Sequence, residues 1–223
     1  MPDLPSKRGR IHDAEGAREA ILNAAEKTFA EHGFDGARID VIAKESGYNK
    51  SLIFQYYGDK LALYGAVIRR ADDQTRDMQN QALTEFRRVT DPLDFTEMRR
   101  LLREYIGWYF DYLIEHPNIT RIYNWEMAEG WQTFSKVLSE RDFQDVEDFA
   151  PLFQKIQEAG LMRPGLNPLL QFTAANFVTF AYLAIVPFYQ SLMLKGMGSP
   201  EETKLARDFL VEFITDGLLI PPP

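Results

Sequence analysis

Apolar residues recur every three or four positions along most of the chain, and no stretch sustains an alternation of apolar and polar residues. Because this spacing places side chains on one side of an α-helix, the pattern predicts an all-α fold. Gly33, Gly47 and Gly58 follow the first three predicted helices, and Asp59 is suited to cap the fourth. The predicted helices cover about residues 13–31, 38–46, 50–57, 60–90, 95–115, 118–130, 142–159, 168–190 and 200–217.

The two shortest predicted helices are joined by the tight turn Ser46-Gly47-Tyr48-Asn49. This is the layout of a helix-turn-helix, in which one helix braces across the DNA backbone and the next enters the major groove. Ile53 and Tyr57 are expected to face the core. The residues left on the outer face are Lys50, Ser51, Leu52, Gln55 and Tyr56. Such residues can contact bases and phosphates, but a polar outer face is equally typical of any small helical domain.

The net charge of −8 lies mostly outside this region. Residues 1–60 contain nine Lys and Arg residues against ten Asp and Glu residues, whereas residues 61–223 contain 16 against 23. The distribution permits DNA binding by the N-terminal region without demonstrating it. Lys7, Arg8 and Arg10 precede the first predicted helix, and residues 1–12 are interpreted either as an arm that reaches the DNA or as a solvated tail.

Several classes of function are disfavoured by the composition. Cysteine is absent, which excludes disulfides, thiolate metal sites and cysteine nucleophiles. His12, His32 and His116 have neither metal-ligand nor catalytic-triad spacing, and no phosphate-binding loop or dinucleotide fingerprint occurs. We therefore expect neither an enzyme nor a cofactor or metal site.

One apolar run, Leu169 to Phe188, is long enough to raise the question of a membrane span. Because polar residues and Pro187 interrupt it, we interpret it as a buried helix and expect no membrane association. The polar N-terminus contains no apolar segment of the kind that directs secretion. A cytoplasmic location is therefore expected.

Two consecutive motifs run through the first third of the chain without a gap. The first is Arg18-x-x-Ile21-Leu22-x-x-Ala25-x-x-x-Phe29-Ala30-Glu31-His32-Gly33-Phe34-Asp35-Gly36. The second is Ile42-Ala43-x-x-Ser46-Gly47-x-x-Lys50-x-x-Ile53-Phe54-x-x-Tyr57-x-x-Lys60-x-x-Leu63. Together they resemble the DNA-binding domain of the TetR family. The resemblance implies a sequence-specific regulator whose three-helix DNA-binding domain occupies residues 1–60.

The resemblance also implies which side chains contact DNA. Base readout is expected at Ser51, Leu52 and Gln55, and a phosphate contact at Arg38. Phosphate or groove-flanking contacts are expected at Lys50, Phe54, Tyr56 and Lys60. The whole set is Arg38, Asn49, Lys50, Ser51, Leu52, Phe54, Gln55, Tyr56 and Lys60. The chain departs from the family's common pattern in four places. Ala37 stands where the family often has Thr, and Phe54 where it usually has Tyr. Tyr56 replaces the frequent His, and Ser51-Leu52 replaces the frequent Gly-Thr. Because these changes alter the groups that face the DNA, the operator sequence does not follow from the resemblance.

For residues 61–223 the resemblance implies a larger helical domain that binds a ligand and forms a homodimer. We assign dimerisation to the helices of about 168–190 and 200–217, because a palindromic operator requires two-fold symmetry. The first of these is apolar almost all round. The second carries an apolar stripe of Leu205, Phe209, Phe213 and Ile214.

The middle of the chain is rich in aromatic residues, which either line an apolar pocket or simply fill a core. Polar residues on apolar faces are better pocket candidates, since a ligand or a neighbouring carbonyl group must satisfy them. These are Asn124, Glu126, Asn176 and Thr179. The residues expected to contact a ligand are Trp108, Tyr112, Asn124, Trp125, Phe153, Asn176 and Thr179. The expected function is a repressor that leaves a palindromic operator when an unidentified small molecule binds. The alternative is a helical protein–protein adaptor that has lost DNA binding.

Overall fold

The computed structural model describes residues 7–89, 94–137, 144–192 and 198–222, with side chains described except at 7–13, 89 and 144–148. Within these ranges the chain is helical, apart from turns and one isolated bridge between Met162 and Leu219. The all-α prediction is therefore confirmed. The helices are α1 Lys7–Gly36, α2 Ile39–Ser46, α3 Lys50–Tyr57, α4 Lys60–Val89, α5 Phe95–Glu115, α6 Pro117–Ala128, α7 Phe134–Val137, α8 Gln144–Glu158, α9 Pro168–Ser191 and α10 Pro200–Leu218.

The first helix begins earlier than the apolar stripe indicated. Helix α1 starts at Lys7, so half of the predicted arm, residues 7–12, is helical, whereas residues 1–6 lie outside the described residues. Gly33 interrupts this helix with φ 67° and ψ 179°. That backbone conformation is almost exclusive to glycine. The break therefore lies where the sequence placed the end of the first helix.

Helices α2 and α3 end, and helix α4 begins, at the residues that the sequence predicted. Gly47 follows α2 in the left-handed region with φ 77°, and Gly58 follows α3 with φ 85°. The Asp59 carboxylate accepts the Ala62 N–H at 2.7 Å, which satisfies an otherwise unpaired amide at the start of α4. The predicted Asp59 cap is confirmed.

The first of two compact units combines Met1–Gln74 with Asn118–Leu138. It extends past the boundary at residue 60 that the sequence suggested, because the α1–α3 core is completed by the beginning of α4 and by α6. Its buried apolar residues include Ile21, Ala25, Phe29, Ile42, Ile53, Leu63, Tyr64, Val67, Ile119 and Ile122. Helices α2 and α3 have about two turns each and are too short to be stable alone. This shared core holds them in place.

A buried carboxylate lies inside this unit. The Tyr64 hydroxyl donates to Glu126 Oε1 at 2.6 Å, and the Phe134 backbone N–H donates to Glu126 Oε2 at 3.0 Å. Glu126 is only 1% exposed, so these donors replace the water that would otherwise solvate its charge. Burial, together with the hydrogen bond to this carboxylate, raises the pKa of Tyr64 well above its ordinary value. The group joins α4, α6 and the start of α7.

Replacing Tyr64 by phenylalanine is expected to lower the free energy of unfolding by about 2 kcal/mol or more, because a buried carboxylate oxygen loses its donor. Urea unfolding measures the change. Tyr57→Phe is the matched control, since its hydroxyl donates to a backbone carbonyl oxygen, that of Arg18 at 3.0 Å, and not to a buried carboxylate. If the free energy of unfolding falls equally in the two variants, the hydrogen bond from Tyr64 to the buried carboxylate contributes no more than one to a backbone carbonyl oxygen.

The second unit combines Thr75–Pro117 with Ser139–Pro223 and is built from α5, α8, α9 and α10 with the end of α4. Its buried residues include Phe86, Met98, Leu102, Ile106, Phe110, Phe153, Ile156, Phe172, Leu210 and Ile214. Arginine–carboxylate ion pairs join α5 to α10 at the surface of this core. They are Arg99 with Glu212 and Asp216, Arg103 with Glu212, and Arg207 with Asp111.

Helix α9 is long and apolar enough to cross a membrane by length and composition. Only 17% of its most apolar 18-residue window is buried within the protomer, so the chain by itself covers one side of this helix, and burial of the other side against a partner stays a prediction. Helix α10 also exposes large apolar side chains. The exposed apolar residues of the two helices are Leu170, Phe177, Val178, Ile185, Phe188, Tyr189, Leu205, Phe209 and Phe213.

Candidate nucleic-acid interface

Apolar side chains on one side of helices α2 and α3 anchor both helices to the core of the first unit. Ile42 of α2 and Ile53 of α3 are 0% and 1% exposed. Tyr57 packs against the same core, and burial raises the pKa of its hydroxyl. The predicted inward face of α3 is therefore confirmed. With one side fixed in this way, the opposite side of α3 faces solvent.

Four side chains form the outer face of α3, namely Lys50, Ser51, Phe54 and Gln55, and all four are exposed. They recur at positions i, i+1, i+4 and i+5, which lie on one side of a helix. Lysine can bind phosphates, serine and glutamine can bond to base edges, and phenylalanine can contact a thymine methyl group. The face has the chemistry and the dimensions of an element that enters a major groove.

Tyr56 differs from the interpretation that placed it on this outer face. Its side chain is half-buried and packs partly against the core. The Arg18 guanidinium lies over its ring, 4.8 Å from the centroid, as a cation–π contact. Leu52 is likewise half-buried. The fully exposed face is therefore narrower than the sequence indicated, and the DNA contacts of Leu52 and Tyr56 stay predictions.

An acidic residue of α2 lies against the basic end of α3. Asp40 accepts a hydrogen bond from the Lys50 ammonium group and lies 3.9 Å from the Arg38 guanidinium. The bond with Lys50 holds the pKa of Asp40 below its ordinary value, so the carboxylate stays ionised at neutral pH. The sequence pattern does not reveal this residue, because its spacing marks it only as an exposed position in the first turn of α2.

Two other predicted DNA contacts have partners within the chain. Asn49 caps α3, and its side-chain oxygen accepts the Leu52 N–H at 2.9 Å. The Lys60 ammonium group donates to the Asp35 carbonyl oxygen at 3.2 Å and lies 4.7 Å from the centre of the Phe34 ring. These contacts give both side chains a structural role, and their contacts with DNA stay predictions.

Comparisons with known proteins cover both units. Residues 21–67 match the family described as "Bacterial regulatory proteins, tetR family". Residues 99–214, more than half of the chain, match the tetracyclin repressor-like C-terminal domain. The chain belongs to the TetR family. It is accordingly a DNA-binding transcriptional regulator, and the exposed outer face of α3 lies within the region that matches the family's N-terminal part.

Individual TetR-family relatives show the extent of the similarity. The HTH-type transcriptional repressor NicS of Pseudomonas putida is 29% identical over 187 residues, which span 82% of this chain and 79% of NicS. The HTH-type transcriptional regulator RutR of Escherichia coli is 34% identical over 124 residues, 56% of this chain and 53% of RutR. A TetR family regulator from Marinobacter aquaeolei has the same fold, with a TM-score of 0.65 and 23% identity over 95% of this chain and 100% of that chain.

The predicted ligand-binding residues of this TetR-family chain fall into both compact units. Asn124 and Trp125 belong to the first unit, where they border an open depression with Arg121. The Trp125 indole N–H donates to the Ala30 carbonyl oxygen at 3.2 Å. Its ring lies only 3.0 Å from where a side chain on Gly33 would begin. Trp125 therefore has a packing role at the break in α1.

The remaining candidates lie in the second unit. Trp108 and Tyr112 stack along α5 with ring centres 5.8 Å apart. Phe153 is buried and stacks on Phe172 at 4.6 Å. On α9, Asn176 Oδ1 and Thr179 Oγ1 are buried and have no hydrogen-bond partner among the described residues. In that part of the chain no group of three or more His, Asp or Glu residues is placed to hold a metal ion.

Proposed function

We propose that this TetR-family regulator is a repressor that binds a palindromic operator as a homodimer and leaves it when a small molecule binds to the second unit. The observation that carries the DNA-binding part is the exposed outer face of α3, held on a helix-turn-helix core. Repression, as opposed to activation, is supported by the similarity to NicS, whose name describes a repressor. We place its action in the cytoplasm, where its operator is accessible.

The exposed apolar surfaces of α9 and α10 support the homodimer. Phe209 and Phe213 are 65% and 55% exposed, and their rings stack at 5.7 Å. Leaving such a surface in water is unfavourable, so a partner is expected to cover it. A second copy fits better than a lipid bilayer, because α10 interleaves these rings with Asp208 and Glu212, which hydrocarbon would not accept. Two-fold symmetry then presents two α3 helices to half-sites about 34 Å apart.

The proposal is tested by titrating the purified chain against a duplex from the upstream region of its own gene. In about 0.15 M salt with excess competitor DNA, unspecific electrostatic binding is strongly weakened. We expect binding that survives the competitor and weakens with increasing salt. If no fragment is retained even in a genome-wide selection for bound DNA, the repressor is rejected in favour of an adaptor without DNA binding.

Replacing Asp40 by asparagine is expected to raise the affinity for DNA. The change removes a carboxylate that competes with phosphate for Lys50, and it takes a negative charge from the interface. A full phosphate contact contributes about 0.9 to the slope of log K against log salt, so a strengthened contact steepens the slope by up to about 0.9, and we expect a gain of about threefold to tenfold in 0.15 M salt.

A salt-dependent binding titration measures both quantities for Asp40→Asn. Glu201→Gln is the control, because it makes the same change in net charge at an exposed position of the second unit. If Asp40→Asn instead weakens binding, the carboxylate orients Lys50 toward the DNA rather than competing for it.

A further inference from the structure

Helix α9 carries two polar side chains on its inward-facing stripe. Phe172, Asn176, Thr179 and Leu183 recur at intervals of four, three and four residues, so they lie on one side of the helix. Phe172 is buried and Leu183 packs against the core of the second unit. Thr179 is 0% exposed. The two polar residues therefore lie in the middle of a stripe whose ends are apolar.

The missing hydrogen bond of Thr179 is unusual for this chain. A helical threonine commonly donates to the carbonyl oxygen four residues earlier. Among the described residues, Thr28, Thr84, Thr173 and Thr215 do so at 2.7 to 3.0 Å. Thr179 does not, and its buried hydroxyl oxygen has no partner in the part of the chain that the structure describes. Asn176 Oδ1, one turn away on the same stripe, is also buried and unpaired. A buried polar atom left without a partner costs stability, so a pair of them requires an explanation.

Helix α5 lies alongside this stretch of α9 and presents aromatic rings. Tyr105 contacts Phe172 with ring centres 5.3 Å apart, and Phe110 contacts Tyr182 at 6.3 Å. Along α9, one of these contacts lies before Asn176 and the other lies after Thr179. From Tyr105, the stacking continues along α5 to Trp108 and Tyr112. Burial raises the pKa of Tyr105 to about 12, so its phenol is neutral. Flat aromatic rings thus lie on both sides of the two polar atoms along α9.

The charged side chains that link these helices have partners within the chain, including Glu202 of α10, whose carboxylate accepts the Tyr182 hydroxyl of α9. Helix α9 contains no charged residue. Three arginines on α5 and α10 form ion pairs with three carboxylates on the same two helices. A charged ligand here would lose its water without gaining a free counter-charge, whereas a neutral one would not meet that cost.

We propose that Asn176 and Thr179 form the polar end of the effector site, and that the effector is an uncharged, largely apolar, flat molecule carrying a hydroxyl or N–H donor. This inference rests on the proposed ligand-controlled function. The donor of the ligand satisfies Asn176 Oδ1, and the Thr179 hydroxyl bonds to the same polar group. Trp108, Tyr112 and Phe172 supply aromatic contacts.

Four simple compounds test the ligand class on the full chain. Benzyl alcohol and indole carry one donor, toluene has a ring without a donor, and benzoate carries a charge. We expect the two donor compounds to raise the midpoint of thermal unfolding, and calorimetry to show at least about fivefold weaker binding of toluene than of benzyl alcohol, the value of one hydrogen bond. Benzoate is expected to have no effect. If neither donor compound binds, or benzoate binds best, the proposal is overturned.

The variant Thr179→Val tests the site itself. Because valine keeps the shape and removes an unsatisfied hydroxyl, we expect a higher unfolding midpoint without ligand. We also expect a smaller preference for benzyl alcohol over toluene, since Asn176 Oδ1 still accepts the donor but the second hydrogen bond is lost. Thr173→Val on the same helix is the control, since that hydroxyl is exposed and bonded to Leu169. We expect it to keep the preference for benzyl alcohol. A lower midpoint in Thr179→Val than in Thr173→Val, or an unchanged preference, would contradict the assignment.

Operator titration separates this inference from the proposed function. Thr179→Val is expected to bind the operator as the unaltered chain does, because α9 lies outside the DNA-binding unit. If the unaltered chain fails to bind DNA but shows the donor preference, the repressor proposal fails and the site stands. If DNA binding holds and Thr179→Val keeps the preference unchanged, only the site fails.

Discussion

Replacing Lys50 and Gln55 together by alanine is expected to weaken operator binding at least about 100-fold in 0.15 M salt. The glutamine side chain supplies base contacts worth about 1–3 kcal/mol, and the lysine supplies a phosphate contact. Both residues are exposed and lie on the outer face of α3, so their removal leaves the buried side of the helix unchanged. Competitor-resistant DNA binding measures the loss, and the free energy of unfolding is expected to stay within about 0.5 kcal/mol.

The control for this double variant is Gln132→Ala with Lys136→Ala, which removes the same two residue types from exposed positions of the same unit. It is expected to bind the operator normally. Tyr56 is left unchanged in both variants. Because it contacts Arg18 and the core, its replacement would change the stability of the fold as well as DNA binding. Full operator affinity in the Lys50 and Gln55 variant would remove α3 from the interface.

Replacing Phe209 and Phe213 by glutamate is expected to raise the dimer dissociation constant at least about 100-fold. Buried aromatic anchors carry much of the free energy of protein interfaces, and two opposed pairs of new carboxylates would add repulsion. Because each half-site alone binds weakly, operator affinity is expected to fall with the dimer. Sedimentation analysis measures the oligomeric state across a range of protein concentrations.

The matched control for the dimer is Leu166→Glu, which places one carboxylate at an exposed apolar residue of the linker before α9. It is expected to leave the dimer intact. Circular dichroism should show the same helix content in all variants, since Phe209 and Phe213 are exposed in the protomer. A stable dimer with glutamate at both positions would place the interface elsewhere.

Of the helices that the structure describes, the sequence by itself predicted all but the short α7, together with the helix-turn-helix turn, because periodicity, glycine breaks and caps act within a few residues. Ile53 is buried where its spacing placed it, Gly47 ends α2, and Asp59 caps α4. The motif at residues 18–63 also indicated the family, which the matches to both parts of the chain show. Of the predicted DNA-contacting residues on α3, Lys50, Ser51, Phe54 and Gln55 form its exposed outer face.

Contacts between residues far apart in sequence were decided only by the tertiary structure. An apolar stripe shows that a helix side is buried but does not identify its neighbour, so α6 could not be assigned to the first unit. For the same reason the packing of Trp125 on Gly33 was not predicted, and its ligand contact stays a prediction. The sequence identified Thr179 as a polar residue on an apolar face. Only the packing of the helices shows that its hydroxyl has no hydrogen-bond partner among the described residues. Periodicity reports burial, whereas the pairing of donors with acceptors depends on how whole elements are arranged in space.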